Sequence, residues 1–221
     1  MNLFRREDNR SKLSYQNDSL KKEVERIFSE YLIHDDKVIL DVGCADIRDY
    51  SDSLIRRAGS YYGVDISSGD IITARGKLKT RPDCYLIQSS IEELDLPEGF
   101  FDIIVCNNML AYTNQEVTIN KIFSLLKPGG ICISFFNNTW QYSVFKIFYP
   151  FKPRLKELLH SIIVLINSTL FYLCGIKIFH TIFDKEKVFK KIILKNNPSF
   201  VNIKTDYNSL PYSVINFVFI K

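Results

Sequence analysis

Two aspartates stand where apolar runs give way to small residues. Asp41 ends the run 37–42 two residues before Gly43, and Asp65 lies near the end of the run 59–67. A carboxylate at the end of a second strand can accept hydrogen bonds from both hydroxyls of a ribose. A loop of small residues after a first strand lets backbone N–H groups approach a ligand. The pair therefore indicates a ligand that contains adenosine.

The loop after the first run reads DVGCADI over 41–47. Loops that bind a dinucleotide pyrophosphate carry G-x-G-x-x-G, and the later glycines are missing here. An acid before Gly43 repels pyrophosphate and suits a cationic amino group. A nicotinamide-dependent dehydrogenase therefore stays only as an alternative.

Apolar runs alternate with helix-like segments along the first 137 residues. The predicted strands are 37–42, 59–67, 84–90, 100–108 and 130–136, and the predicted helices are 18–33, 51–58, 69–79 and 115–126. Ser51 is the expected cap of the second helix. Continuous apolar strands are buried on both faces, and this alternation predicts a parallel, doubly wound sheet. Its ligand should bind outside the carboxyl ends of the strands.

The pattern changes after residue 138. An aromatic and basic block precedes a predicted helix at 183–197 and two strands at 200–207 and 212–220, expected to form an antiparallel pair. The chain 1–221 is thus predicted to be one α/β domain with a mostly parallel, seven-stranded, Rossmann-like sheet. Residues 138–180 are predicted to form a helical insertion between strands five and six.

Several short motifs follow one another in a recognisable order. Leu96-Pro97 follows the third strand, Phe101-Asp102 opens the fourth, and Lys127-Pro128-Gly129-Gly130 precedes the fifth. With the DVGCADI loop and the terminal strand pair, this order resembles the class I S-adenosylmethionine-dependent methyltransferases, particularly the small-molecule type. The resemblance covers roughly residues 35–137 and 183–221.

The resemblance implies S-adenosylmethionine as the cofactor. Asp41 and Gly43 would then meet its methionine end, and Asp65 would hold the ribose. Other positions would contact the adenine, the methionine carboxylate or the transferred methyl group. The predicted cofactor-binding set is Asp41, Gly43, Cys44, Ala45, Asp65, Ile66, Ser90, Ile91, Asn107 and Tyr15, the last folding over the cofactor from the N-terminal segment.

Two residues depart from the family's glycine-rich loop. Ala45 and Ile47 stand where the family has its second and third glycines. A β-branched residue is disfavoured at positive φ. Either the loop takes a different path or the affinity for the cofactor is reduced.

The resemblance implies in-line transfer of a methyl group to an oxygen, nitrogen or carbon atom of a small, hydrophobic or lipid-like acceptor. The chain would mainly align the reactants and exclude water. A general base is needed only where the acceptor must lose a proton. The candidates are His160, His180 and Tyr112, each of which could instead be an ordinary packing residue. A protein that keeps the fold without catalysis is the alternative from another functional class.

Charge is distributed unevenly along the chain. Residues 1–137 carry 17 Lys and Arg against 21 Asp and Glu, whereas residues 138–221 carry 12 against 4. The C-terminal part is therefore expected to meet something acidic. Nucleic acid is not expected, because the basic stretch carries so many large apolar residues.

Five cysteines without a CxxC pair predict reduced thiols in a cytoplasmic protein and no metal site.

Residues 138–180 admit two readings. One is a helical lid over the substrate pocket. The other adds association with a membrane surface, on the inner face of the membrane, because aromatic and basic residues alternate before an uncharged stretch at 158–176. A crossing of the membrane is disfavoured, since the chain must return to the same sheet. The oligomeric state and the acceptor stay open.

Overall fold

A computed structural model describes the chain over residues 22, 24–31, 34–47, 49–107, 109–110, 113–137, 155–174, 176, 178, 186–206 and 214–221. Tyr15, Tyr112 and His180 lie outside these residues. His160 lies in a described helix, but its side chain is not among those described.

Seven strands form one sheet in the order β3-β2-β1-β4-β5-β7-β6. They are β1 (Lys37–Val42), β2 (Ala58–Asp65), β3 (Cys84–Gln88), β4 (Phe101–Asn107), β5 (Leu126–Asn137), β6 (Phe200–Asp206) and β7 (Val214–Ile220). The first five strands are parallel, and β7 runs antiparallel between β5 and β6. The predicted doubly wound sheet with its antiparallel end is confirmed.

Helices connect and cover the strands. The described helices are α1 (residues 24–30), α2 (Asp49–Arg57), α3 (Ser68–Lys77), α4 (Gln115–Leu125), α5 (Leu155–Cys174) and α6 (Glu186–Lys195). The Ser67 and Asn114 side chains cap α3 and α4 by accepting from Asp70 N and Val117 N. Helix α5 lies in the predicted insertion between β5 and β6. Within the described part of the chain, no helix is long and apolar enough to cross a membrane.

Two hydrophobic layers enclose the sheet because neighbouring residues of a strand point to opposite faces. Leu40 belongs to the layer that α4 and α6 cover with Ile122 and Phe189. Its neighbour Ile39 belongs to the other layer, which α1 and α2 cover with Phe28 and Leu54. Burial on both faces fixes the level at which the strands end, and hence the position of the loops that follow them.

Two local expectations need correction. Helix α2 begins at Asp49, so Ser51 lies inside it and is not its cap. Strand β5 begins at Leu126, ahead of the Lys-Pro-Gly-Gly sequence. Phe101 pairs with Leu126 and Ile103 with Ile131, so residues 127–130 form an irregularity within the strand. Gly129 has φ 76°, which favours glycine at that point.

Candidate functional site

The carboxyl ends of β1, β2 and β4 lie side by side. Val42 of β1 pairs with Val64 of β2 and with Cys106 of β4, so the loops after these strands start at one level. Gly43 continues the β1–β2 contact by donating its N–H to Val64 O at 2.8 Å. A Cβ atom on Gly43 would lie 3.2 Å from Met109 Cβ. Glycine therefore lets the first loop pass close to the exit of β4.

Asp65 is held in place at the end of β2 by two backbone donors. Ala45 N donates to its Oδ2 atom at 3.0 Å, and Ser67 N donates to its Oδ1 atom at 2.8 Å. Each carboxylate oxygen can accept a second hydrogen bond. The carboxylate is thus oriented by the protein itself while it keeps capacity for a ligand's hydroxyl groups.

The loop after β1 has positive φ at three alternate residues, although the second and third of them are not glycine. Gly43, Ala45 and Ile47 have φ angles of 78°, 50° and 59°. Of the two alternatives raised by Ile47, avoidance of positive φ at this residue is not what the structure shows, and a reduced affinity for the cofactor stays a prediction. Ile47 is only 8% exposed and packs in the layer that contains Leu54 and Ile71. Burying such a side chain contributes about 1.5–3 kcal/mol, which matches or exceeds the roughly 1–2 kcal/mol cost of a left-handed residue.

Lys77 at the end of α3 stabilises the same loop. Its Nζ atom donates to Asp46 O at 2.6 Å and to Ile47 O at 3.0 Å, and it forms an ion pair with the Asp46 carboxylate at 3.2 Å. The lysine thus fixes two consecutive carbonyl groups in the left-handed segment. Sequence reasoning missed Lys77, because its 30-residue separation from the loop left no local signal.

Asp41 is fully buried and hydrogen-bonded within the protein. Ser51 Oγ and Tyr61 OH each donate to its Oδ2 atom at 2.7 Å. Hydrogen bonds to a charged carboxylate are short and strong, so this network ties β1 to α2 and β2 below the loop. The geometry gives Asp41 a supporting role, and its predicted contact with the methionine end of a cofactor stays a prediction.

A match to a family supports the interpretation of this geometry. The family model described as "Methyltransferase domain" matches residues 40–134, which run from β1 into β5 and include the loop, Asp65 and the exit of β4. Over these residues the chain is similar to methyltransferase domains, which supports the predicted resemblance to the class I S-adenosylmethionine-dependent methyltransferases. The sheet confirms the predicted fold, and the match supports the family and the kind of cofactor predicted from the sequence.

Similar proteins cover the chain to different extents. It is 37% identical over 70 residues to the uncharacterized methyltransferase YdaC of Bacillus subtilis, or 31% of this chain and 38% of YdaC. It is 30% identical over 130 residues to the ubiquinone/menaquinone biosynthesis C-methyltransferase UbiE of Wigglesworthia glossinidia brevipalpis, or 54% of this chain and 52% of UbiE. The chain thus spans about half or less of the length of these relatives.

A solved structure extends the likeness to nearly the whole chain. The N-methyltransferase NodS from Bradyrhizobium japonicum WM9 superposes with a TM-score of 0.61 at 15% identity, covering 97% of this chain and 99% of that one. At this identity the likeness shows the fold alone. The common fold extends beyond residue 134, where the match to the family model ends.

Cys44 is a buried part of the loop after β1. Burial, together with the charges of Asp41 and Asp65, raises the pKa of the Cys44 thiol far above its usual range. The thiol is therefore protonated at neutral pH and is no nucleophile. A Cβ atom on Gly63 would lie 2.9 Å from Cys44 Sγ, so the sulfur fills the space that this glycine leaves.

The remaining predicted residues divide between surface and core. Ile66 follows Asp65 and is 74% exposed, whereas Ile91 is buried in the core. Ser90 Oγ accepts a hydrogen bond from Glu93 N at 3.2 Å and stabilises the turn after β3. Asn107 is half-buried at the end of β4. The structure therefore brings Gly43, Ala45, Asp65 and Ile66 together at the carboxyl ends of β1 and β2. The Ile91 side chain packs in the hydrophobic core.

A cavity of about 330 Å³ lies at the amino ends of β1 and β4, at the other end of the strands from Asp65. It is lined partly by Lys37, Asp102 and Lys127, far along the strands from Asp65. Lys127 Nζ and Val38 N both donate to Asp102 Oδ2 at 2.9 Å. Burial raises the pKa of Asp102, but these two donors outweigh it and hold the pKa below its usual value. This cavity is therefore separate from the loops at the carboxyl ends of the strands.

No group of histidine, cysteine or acidic residues in the described ranges has the arrangement of a metal site. The sequence did not show that Ser51 and Tyr61 meet Asp41. Its one signal was a tyrosine inside a buried strand, since a buried hydroxyl group needs a partner.

Proposed function

We propose that the chain binds S-adenosylmethionine at the carboxyl ends of β1, β2 and β4 and transfers its methyl group to a small, hydrophobic or lipid-like acceptor. The observation that carries this proposal is the Asp65 carboxylate. It stands at the tip of β2 with both oxygens oriented by backbone N–H groups. Such a group receives a ribose diol without having to reorganise.

The described residues fit this cofactor. Asp65 offers acceptors to the ribose, and the exposed Ile66 beside it offers an apolar surface to the adenine. Gly43 lets the loop approach the exit of β4, where Asn107 would meet the methionine end. Ser90 and the Ile91 backbone would lie beside the adenine, and Tyr15 would cover the cofactor.

The cofactor supplies an activated methyl group on a sulfonium. The chain's part is to align that group with the acceptor and to keep water away. The rigid loop, fixed by Lys77 and by the burial of Ile47, provides the alignment. His160, His180 and Tyr112 are the proposed bases for an acceptor that must lose a proton.

The proposed acceptor class follows from the segment between β5 and β6. Residues 138–180 act as a lid in this proposal, within a single domain 1–221, and their many aromatic and aliphatic residues favour an apolar substrate. The similar protein UbiE carries ubiquinone/menaquinone biosynthesis in its name, and NodS is named an N-methyltransferase. The accepting atom is therefore left open. We place the protein in the cytoplasm, with access to the inner face of the membrane.

Titration calorimetry tests the proposed cofactor. S-adenosylmethionine is expected to bind with a Kd of roughly micromolar order, about −8 kcal/mol, and NAD is expected not to bind. The control is Asp65→Asn, which keeps the size of the side chain and removes its charge. Binding of NAD in preference to S-adenosylmethionine would refute the assignment.

The lid has its own test. A variant in which a short linker replaces residues 140–178 is expected to bind the cofactor and to lose methyl transfer, as followed by mass spectrometry of an aromatic or quinol acceptor. Turnover equal to that of the intact chain would show that the segment is no lid.

A module without catalysis is the second candidate. The observation that favours it is the left-handed backbone at Ala45 and Ile47, where the family has glycines. The methyl group of Ala45, beside Asp65, would narrow the space for a cofactor, whereas the Ile47 side chain packs in the core. The absence of calorimetric binding at millimolar S-adenosylmethionine would favour this module over the enzyme.

A further inference from the structure

Helix α5 presents apolar side chains to the solvent. Successive residues of a helix are about 100° apart, and this spacing puts five exposed residues on one side within an arc of about 100°. Leu173 is 78% exposed and Ile166 is 56% exposed. We call this surface the α5 outer face; it consists of Leu159, Ile162, Ile163, Ile166 and Leu173.

The opposite side of α5 is buried and largely polar. Ser161, Asn167 and Ser168 are at most 1% exposed. Ser168 Oγ donates to Val164 O at 2.6 Å, and Asn167 Oδ1 accepts from Ile178 N at 2.8 Å. A helix that faces water normally has the reverse arrangement, with its apolar side inward. A contiguous apolar surface of this kind marks a site of interaction.

The charge pattern around α5 identifies the partner. Residues 158–176 carry no Lys, Arg, Asp or Glu, and the segment 138–180 carries five Lys and Arg against one Glu. The basic residues Lys152, Arg154 and Lys156 precede the uncharged stretch, and Lys177 follows it. An apolar strip with basic residues at both ends suits an anionic lipid surface. A second copy of the chain is a poorer partner, because its own positive charges would lie against those of the first copy and repel them.

We infer that α5 lies in the surface of an anionic membrane, with the α5 outer face inserted between the lipids. The helix lies on the membrane and does not cross it, which agrees with its length and apolarity. Ile176 and Ile178, which follow the helix in the chain, are also exposed. The inference deepens the proposed function, because it names the partner of segment 138–180, but it does not require methyl transfer.

Co-sedimentation with lipid vesicles tests this inference. The full chain is mixed with vesicles of phosphatidylcholine alone or of phosphatidylcholine with phosphatidylglycerol. We expect binding to the anionic vesicles, weakened by salt. The double substitution Ile163→Glu/Ile166→Glu should lower the partition coefficient at least about tenfold. Ile72→Glu is the matched control, because Ile72 is 68% exposed on α3 and should leave binding unchanged.

Calorimetry with S-adenosylmethionine on the same variants separates this inference from the proposed function. Retained cofactor binding with a tenfold loss of vesicle binding supports the membrane surface. Equal vesicle binding by wild type and the double variant overturns it. Failure of the wild-type protein to bind anionic vesicles also overturns it. Gel filtration would then show whether the α5 outer face joins two copies of the chain or is covered by another part of the same chain.

Discussion

Replacement of Ala45 by glycine should stabilise this protein. Ala45 has φ 50° and is only half-buried, so its methyl group contributes little packing while its backbone is in the left-handed region. That conformation costs a non-glycine residue about 1–2 kcal/mol. Glycine removes this cost but raises the entropy of the unfolded chain by the equivalent of about 0.4–1 kcal/mol. The net expectation is a gain of about 0.5–1 kcal/mol.

Thermal unfolding measures the effect of Ala45→Gly. For a chain of this size, the expected gain corresponds to an increase in Tm of about 1–4 °C. Ala58→Gly is the control, because Ala58 is a buried residue of strand β2. There glycine should lower stability by about 0.5–1 kcal/mol. A decrease in Tm for Ala45→Gly as well would show that the loop is not strained at this position, and the account of its backbone would be wrong.

Three further substitutions test single contacts. Asp65→Ala should weaken binding of S-adenosylmethionine by about 1.5–3 kcal/mol in calorimetry, the scale of hydrogen bonds to a charged group; unchanged affinity would refute the ribose assignment. Tyr61→Phe removes a hydroxyl donor to the buried Asp41 and should cost about 1–3 kcal/mol in urea unfolding, whereas an unchanged midpoint of unfolding would refute the stabilising role of this hydrogen bond. Asp102→Asn removes the ion pair with Lys127 and should cost about 0.5–1 kcal/mol at neutral pH. Because the pKa of Asp102 is depressed in the folded protein, its contribution should vanish as the pH falls below 3.8, so wild type and variant should become equally stable only in acid.

The sheet was predictable because its signal is local. Continuous apolar runs such as 37–42 and 100–108 are buried on both faces, and the structure has strands at Lys37–Val42 and Phe101–Asn107. Asp65 was predictable for the same reason, since a charged residue at the end of an apolar run must lie at the sheet's edge.

The path of the first loop was not predictable, because it depends on distant residues. Local preference disfavours Ile47 at positive φ. The structure compensates through burial of Ile47 in the core and through Lys77, which lies 30 residues further along the chain at the end of α3. Ser51 was misread for a similar reason: its hydroxyl serves Asp41 on another element rather than the end of its own helix.

The orientation of α5 also lies beyond the reach of periodicity. Residues 158–176 are uncharged, and the spacing of their small polar residues predicts a helix with one polar and one apolar side. It does not show which side faces the protein. Only the burial of Ser161, Asn167 and Ser168 shows that the small polar residues turn inward and the isoleucines outward.

The tip of β2 is the proposed site for the ribose of S-adenosylmethionine. A crystal structure of the full chain with S-adenosylhomocysteine, the product left after methyl transfer, tests it most directly. We expect both ribose hydroxyl groups within hydrogen-bonding distance of the Asp65 carboxylate and the adenine against Ile66. A ligand located elsewhere, or an Asp65 carboxylate without contact to the ribose, would contradict it.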